Sequence, residues 1–146
     1  MEKLEVEIDA FLSRLRQLSE NKHEILLGHC ESELKLTSTQ EHILMLLAEK
    51  SLTNSELAEV LSISAAAVSK ALKKLQAEGL IASKKDPKDE RRVLCQLTQA
   101  GLPIAKEHHQ HHEKTLAVYH KIAVSFNEKE QATIRRFMEE IKGEFE

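Results

Sequence analysis

LTNSELAEVLSISAAAVSKALKKLQAEGLIASKKDPKDERRVLCQLTQAG, residues 52–101, changes its hydrophobic period along its length, and those changes decide the fold. Thr53 or Asn54 can cap a short helix, SELAEVL, with Glu56 completing the first turn. After Ser62-Ile63-Ser64 a second helix, AAAVSKALKKLQAEG, turns Val68, Leu72 and Leu75 inward. It leaves Ser69, Lys70, Lys73 and Lys74 outside, and Gly79 ends it. From Leu80 the period shortens. Leu80-Ile81-Ala82-Ser83-Lys84 and Arg92-Val93-Leu94-Cys95-Gln96-Leu97 read as two strands, with Asp86-Pro87-Lys88-Asp89-Glu90 as the polar turn between them. Short helix, turn, helix and charged hairpin, in that order, predict a winged helix-turn-helix. In that architecture the second helix of the motif enters the major groove. The hairpin then brings Arg91 or Arg92 to the minor groove or the backbone.

Charge agrees with this placement. The chain carries a net −3, yet the segment from Lys70 to Arg92 holds eight basic and four acidic residues, a local +4 that leaves −7 for the remainder. A basic island in an acidic protein marks a nucleic-acid face better than the overall charge does.

The flanks read as long helices. Leu4, Ile8, Phe11, Leu12, Leu15 and Leu18 form a narrow apolar stripe that continues into HEILLGHC, where Gly28 is a stop. A narrow stripe on a terminal helix points to packing against a partner chain. Thr37-Ser38-Thr39-Gln40-Glu41 opens another helix. Thr98 is expected to begin a long helix reaching about Phe126, with Pro103 tolerated in its first turns. Asn127-Glu128 restarts a last helix with Ile134, Phe137, Met138 and Ile141 on one face. The expected fold class is mainly α, with a small β-hairpin wing. Residues 1–35 and 99–146 supply dimerisation helices around a DNA-binding region at 36–98.

Composition excludes several classes. With 146 residues, 3% aromatics, four Gly and two Pro, the chain lacks the strand-forming side chains and turns that a large β-sandwich uses. No apolar run approaches membrane-spanning length, and the charged N-terminus, MEKLEVEIDAF, is not a secretory signal. Cys30 and Cys95 are far apart with no CxxC spacing, so no disulfide framework is expected and the chain belongs in a reducing cytoplasm.

DPKDERRVLCQLTQAG, residues 86–101, resembles the wing of the MarR family of bacterial transcription regulators. That pattern, Asp-x-x-Asp-x-Arg, a strand and then Leu-Thr-x-x-Gly, falls on Asp86, Asp89, Arg91, Leu97, Thr98 and Gly101. The helix-turn-helix is similar to that family's as well, and the likeness covers nearly the whole chain. It implies a homodimer on a pseudo-palindromic operator in double-stranded DNA, with a small ligand altering affinity. By resemblance Arg91 is the wing-tip arginine and residues 64–74 form the recognition helix, with Ser64, Ser69, Lys70 and Lys73 as contacts.

The eight histidines are unevenly placed. His108 and His112 in EHHQHHE stand at i and i+4, on one face of the long helix. They are in phase with Ile104 upstream and Leu116 downstream, while His109 and His111 flank the stripe, facing solvent or acting behind the ligands. Two imidazoles on a core face repel if both are protonated, and a divalent metal removes the conflict by binding the neutral form. The spacing alone fits a ligand pair and a structural pair equally. There is no HExxH, because Leu27 and Leu116 stand where a second histidine would be needed, so a metalloprotease is excluded.

Within the MarR family, NKHEILLGHC, TQEHILMLLAE and KEHHQHHE are similar to the zinc-uptake repressors of Gram-positive bacteria. The resemblance implies a principal Zn²⁺ site of Glu24, His42, His108 and His112, and a second site of Cys30, Glu41 and Glu107. One carboxylate and three imidazoles suit tetrahedral zinc. Four protein ligands leave no open position for water, so no enzyme is expected. The implied function is a repressor of zinc-uptake genes with zinc as co-repressor, with neither a membrane nor an organic cofactor involved. A MarR-type regulator answering an organic ligand or oxidant is the alternative, and it calls for a sizeable apolar pocket. A zinc-storage protein leaves the basic wing unexplained.

Overall fold

Local hydrogen bonding at the predicted caps sets the helix starts. Thr37 accepts from the backbone N–H of Gln40, and Gln40 accepts in return from that of Thr37. Thr53 and Glu56 make the same reciprocal pair, as do Asn127 and Glu130. Each closes a capping box and satisfies backbone donors that a helix start otherwise leaves open. The computed structural model describes residues 3–19 and 34–146. In chain order the elements are α1 (Leu4–Leu18), α2 (Ser38–Glu49), α3 (Asn54–Leu61), α4 (Ala65–Ala77), β1 (Ile81–Asp86), β2 (Asp89–Leu97), α5 (Leu102–Ala123) and α6 (Glu128–Phe145). The continuation of the first helix through HEILLGHC lies outside the described residues. Among the described residues no helix is long and apolar enough to cross a membrane.

The chain divides into two compact units inside α5, one ending at His111 and the other beginning at His112. The core of the first unit gathers Ile43, Leu44 and Leu47 of α2, Leu57 and Leu61 of α3, and Val68, Leu72 and Leu75 of α4. Leu52, Ala71, Leu80, Ile81, Cys95, Ile104 and Ala105 complete it. Full burial of each large side chain contributes about 1.5–3 kcal/mol. The α3–α4 turn uses Ser62 in the left-handed region (φ 55°), and α4 ends on Gly79 (φ 72°) with Leu80 N–H bonded to Leu75 O.

The strands form one antiparallel pair, with Ile81 opposite Leu97 and Lys84 opposite Leu94. Both run further than the alternation predicts. β1 reaches Asp86 and β2 starts at Asp89, so the turn shrinks to Pro87-Lys88. Asp86 accounts for this, because its Oδ1 accepts from Lys88 N–H (2.9 Å) and closes the turn early. At the hairpin's base Leu52 and Cys95 exchange both backbone bonds (3.1 and 2.7 Å), tying the wing to the segment before α3.

The long helix begins at Leu102 rather than Thr98. Thr98 Oγ1 donates to Gly79 O (2.7 Å) and Thr98 N–H to Leu80 O (3.1 Å), so residues 98–101 are a turn closed on the α4–β1 connection. Gly101 is required by space: a Cβ there would lie 2.5 Å from Leu80 O and 2.6 Å from a Leu97 methyl. The Leu-Thr-x-x-Gly pattern is thus a packing device that aims α5. Pro103 costs nothing in the first turn, where its missing N–H would have no helical partner.

In the second unit α5 ends at Ala123, short of Phe126, and Gln131 of α6 donates to the carbonyls of Ala123 and Phe126 (2.9 Å each). The apolar stripe of α5 passes to Thr115, which is buried, instead of Leu116, which is 63% exposed. Neither α1 nor α6 buries a residue completely. Leu4, Phe11, Leu116, Tyr119, Ile122 and Phe145 all remain at least half exposed.

Candidate metal centre and nucleic-acid face

His42 lies in the first turns of α2, immediately before the core residues Ile43 and Leu44, and His108 lies midway along α5. His108 is 1% exposed, although its type is polar. The two rings meet edge to face, with centroids 5.6 Å apart and planes at 77°. His112 opens the second unit, but it follows His108 by one turn of the same continuous helix, so α5 itself sets its position. Each of His42, His108 and His112 offers a ligand nitrogen within 4.8 Å of the others. Among the described residues this is the one group of three metal-ligating side chains so gathered.

These donors fit zinc. They are nitrogens, the ligand type zinc shares with few other abundant cations, and they come from two helices with one donor fully buried. Glu41 Oε1 sits 3.5 Å from His108 Nδ1, beyond ordinary hydrogen-bond length. Glu107 Oε1 lies 3.7 Å from His111 Nε2. His111 is mostly buried at 12% side-chain exposure, which leaves the place behind the ligands of the two expected for it, whereas His109 is exposed. Glu24 and Cys30 lie outside the described residues. Cys95 is buried in the core, as its wing-strand position suggests, and burial pushes its thiol pKa up.

Exposed cations lie on α4 and the wing. Ser64 caps α4, its hydroxyl accepting from Ala67 N–H (3.1 Å). Lys70 and Lys73 are exposed on α4. Ser69 is also exposed, and its Oγ accepts from Asn54 Nδ2 at 2.8 Å, which joins α3 to α4. On the wing, strand alternation separates the two arginines. The Arg91 side chain is 92% exposed and is steadied by Asp89 through its backbone N–H (3.1 Å) and its Nε (3.2 Å). Arg92 turns back to Glu56 of α3 and Asp86 of β1. The hairpin pattern left these two arginines equivalent, and only the family resemblance chose Arg91. No local signal pointed to the Arg92 contact, because Glu56 is 36 residues away.

A helix-turn-helix with a basic two-stranded wing, joined to a histidine cluster on its supporting helices, defines a winged helix-turn-helix protein with a candidate metal centre. Residues 36–93 match the MarR family. The chain is 55% identical over 139 residues to the transcriptional regulator ZitR of Lactococcus lactis subsp. cremoris, covering 95% of this chain and 96% of that one. It is 53% identical to the transcriptional regulator AdcR of Streptococcus pneumoniae, covering 99% of each. Among solved structures, Lactococcus lactis ZitR in complex with DNA matches with a TM-score of 0.93 at 54% identity over 100% of both chains. The zinc-dependent regulator AdcR in its Zn(II)-bound state matches with a TM-score of 0.85 at 53% identity, also over 100% of both. The chain belongs to the MarR family, a family of regulators rather than enzymes.

Proposed function

We propose that this protein is a cytoplasmic, zinc-dependent transcriptional repressor of zinc-uptake genes, acting as a homodimer on operator DNA. The histidine cluster carries the reading, since it joins α2 to α5 where α2 enters the core of the DNA-binding unit. Both similar regulators are described as zinc-responsive in solved structures, and one of them has been solved on DNA.

His42, His108 and His112 would hold the ion with Glu24, and Cys30, Glu41 and Glu107 would form a second site. Bound zinc supplies a cross-link between helices. His42 precedes Ile43 and Leu44, which pack in one core with Leu72 and Leu75 of α4. Restricting α2 therefore restricts the recognition helix. Affinity for DNA rises to the extent that the metal-holding conformer is also the one that fits the operator. Ser64, Ser69, Lys70 and Lys73 on α4 and Arg91 on the wing form the DNA face. Residues 1–35 and 99–146 supply the dimer contacts around the DNA-binding region at 36–98. The exposed apolar residues of α1, α5 and α6 support that division, since a second copy would cover them.

The test is binding of tag-free protein to labelled zinc-transporter promoter DNA at fixed salt, with zinc and then with excess chelator. Tight binding only with zinc is the expected result. Equal binding in both conditions overturns zinc dependence and directs attention to organic ligands.

A further inference from the structure

The wing is a two-stranded hairpin, and such a hairpin is barely stable alone. Its base is held by the Leu52–Cys95 bridge and by the buried Ile81. Its outer half carries exposed Lys84, Lys85, Lys88, Arg91 and Val93. A second attachment nearer the tip is made by Arg92. Its Nη2 donates to Glu56 Oε1 at 2.7 Å, and its Nη1 lies 3.5 Å from Asp86 Oδ2.

Both carboxylates are already fixed by their own elements. Glu56 Oε1 accepts from Thr53 N–H at 3.1 Å, and Asp86 Oδ1 accepts from Lys88 N–H at 2.9 Å. The Asp86 side chain is only 12% exposed. An ordinary surface ion pair must immobilise two loose side chains, but here the guanidinium docks between two anchored acceptors. Two anions flank its charge, and its planar fork suits two separate acceptors as an ammonium would not.

We propose that Arg92 is a positioning residue: by bridging Glu56 of α3 and Asp86 of β1, it sets the angle at which the wing leaves the helix-turn-helix and so presents Arg91 to DNA. This rests on the DNA-binding reading above. Arg91 and Arg92 are neighbours of equal charge with different tasks, one facing the nucleic acid and the other facing the protein.

Arg92→Gln, Glu56→Gln and the double variant test it, with Arg91→Ala for comparison. Glu56→Gln keeps an oxygen for the cap and removes only the charge. Binding to a duplex enriched by the wild-type protein from a random pool is measured across a salt series. Arg91→Ala should flatten the log K against log[salt] slope by about 0.9, the mark of one lost phosphate contact. Arg92→Gln should weaken binding on the order of tenfold with the slope unchanged, because Arg91 still reaches its phosphate once the loosened wing is ordered on DNA, and the double variant should be no weaker than Arg92→Gln alone. Glu56→Gln should also weaken binding, although removing an anion beside DNA would by simple electrostatics strengthen it. A slope change for Arg92→Gln, or tighter binding by Glu56→Gln, overturns the proposal.

Amide exchange without DNA gives an independent reading. Arg92→Gln should speed exchange in β2 toward Asp89 while the melting temperature stays near wild type, and unchanged β2 protection overturns the clamp. Failure of the wild-type protein to enrich any duplex would instead refute the DNA-binding reading, leaving exchange to decide the clamp.

Discussion

The imidazole of His108, buried in α5, meets that of His42 from α2 edge to face, with ring centroids 5.6 Å apart. Among the described residues, His42 and His112 are the side chains gathered with this buried ring into one candidate ligand group. Replacing His42 or His108 by Ala should therefore lower zinc affinity by roughly 100-fold or more, since loss of even an outer partner of a ligand costs 10–100-fold. Competition with a chelating dye measures it, and wild-type affinity in either variant would remove that residue from the centre. The two should differ without metal. His108→Ala also empties a buried site and should cost on the order of 2 kcal/mol, while the half-buried His42 should cost less. Acid should weaken metal binding in the wild-type protein, because imidazole ligates only when neutral.

Two glycines should respond differently to alanine. At Gly101 the added Cβ meets the Leu80 carbonyl at 2.5 Å, and backbone cannot step aside as a side-chain end can. Gly101→Ala should destabilise by on the order of 2–4 kcal/mol. At Gly79 nothing lies within 4 Å, and the cost is that of the left-handed backbone alone, about 1–2 kcal/mol. Denaturant unfolding ranks the two, and a reversed order would refute this account of the Leu-Thr-x-x-Gly turn.

Glu56 ties stability to pH. The N–H and hydroxyl of Thr53, and then Arg92, hold its carboxyl below the usual carboxylate range. A carboxyl depressed in the folded state stabilises fully above its unfolded pKa, about 4.3, and the contribution fades as pH falls through the folded value. Glu56→Gln should thus lower the melting temperature slightly at neutral pH, since this carboxylate is more than a third exposed and its interactions are screened, with the gap closing below about pH 4. A gap that stayed constant down to pH 3 would show that the charge is not responsible.

Cys95 should be chemically quiet. Burial raises its pKa, which leaves little thiolate at neutral pH, and the thiolate is the reactive form. In a Cys30→Ser variant, iodoacetamide should label Cys95 only as fast as the protein opens, with full labelling in denaturant. Rapid labelling of the native variant would contradict the packing of β2 against the Leu52 segment.

Much of the DNA-binding unit was legible in the chain. Thr37, Thr53 and Asn127 cap helices that the stretches holding them were read to start, and Val68, Leu72 and Leu75 lie on the buried face of α4. The hairpin was legible too, but its ends were not, because the Asp86 carboxylate tightens a turn that composition alone makes longer. The candidate metal centre was half legible. The i, i+4 spacing of His108 and His112 places both on one face of α5, but the spacing fitted a structural pair as well as a ligand pair.

The sequence by itself determined what acts over a few residues: helix caps, the change from helical to strand period, the basic island and the His108–His112 spacing. These depend on backbone hydrogen bonds and side-chain directions within one or two turns. Tertiary structure alone decided where α5 begins, through Thr98 and Gly101 closing on Gly79 and Leu80. It also brought His42 to His108, buried Thr115 in place of Leu116, and set Arg92 against Glu56 while leaving Arg91 outside. Each of these turns on groups distant in sequence or on the packing around a whole face. Periodicity within one segment carries no record of which distant group arrives opposite it.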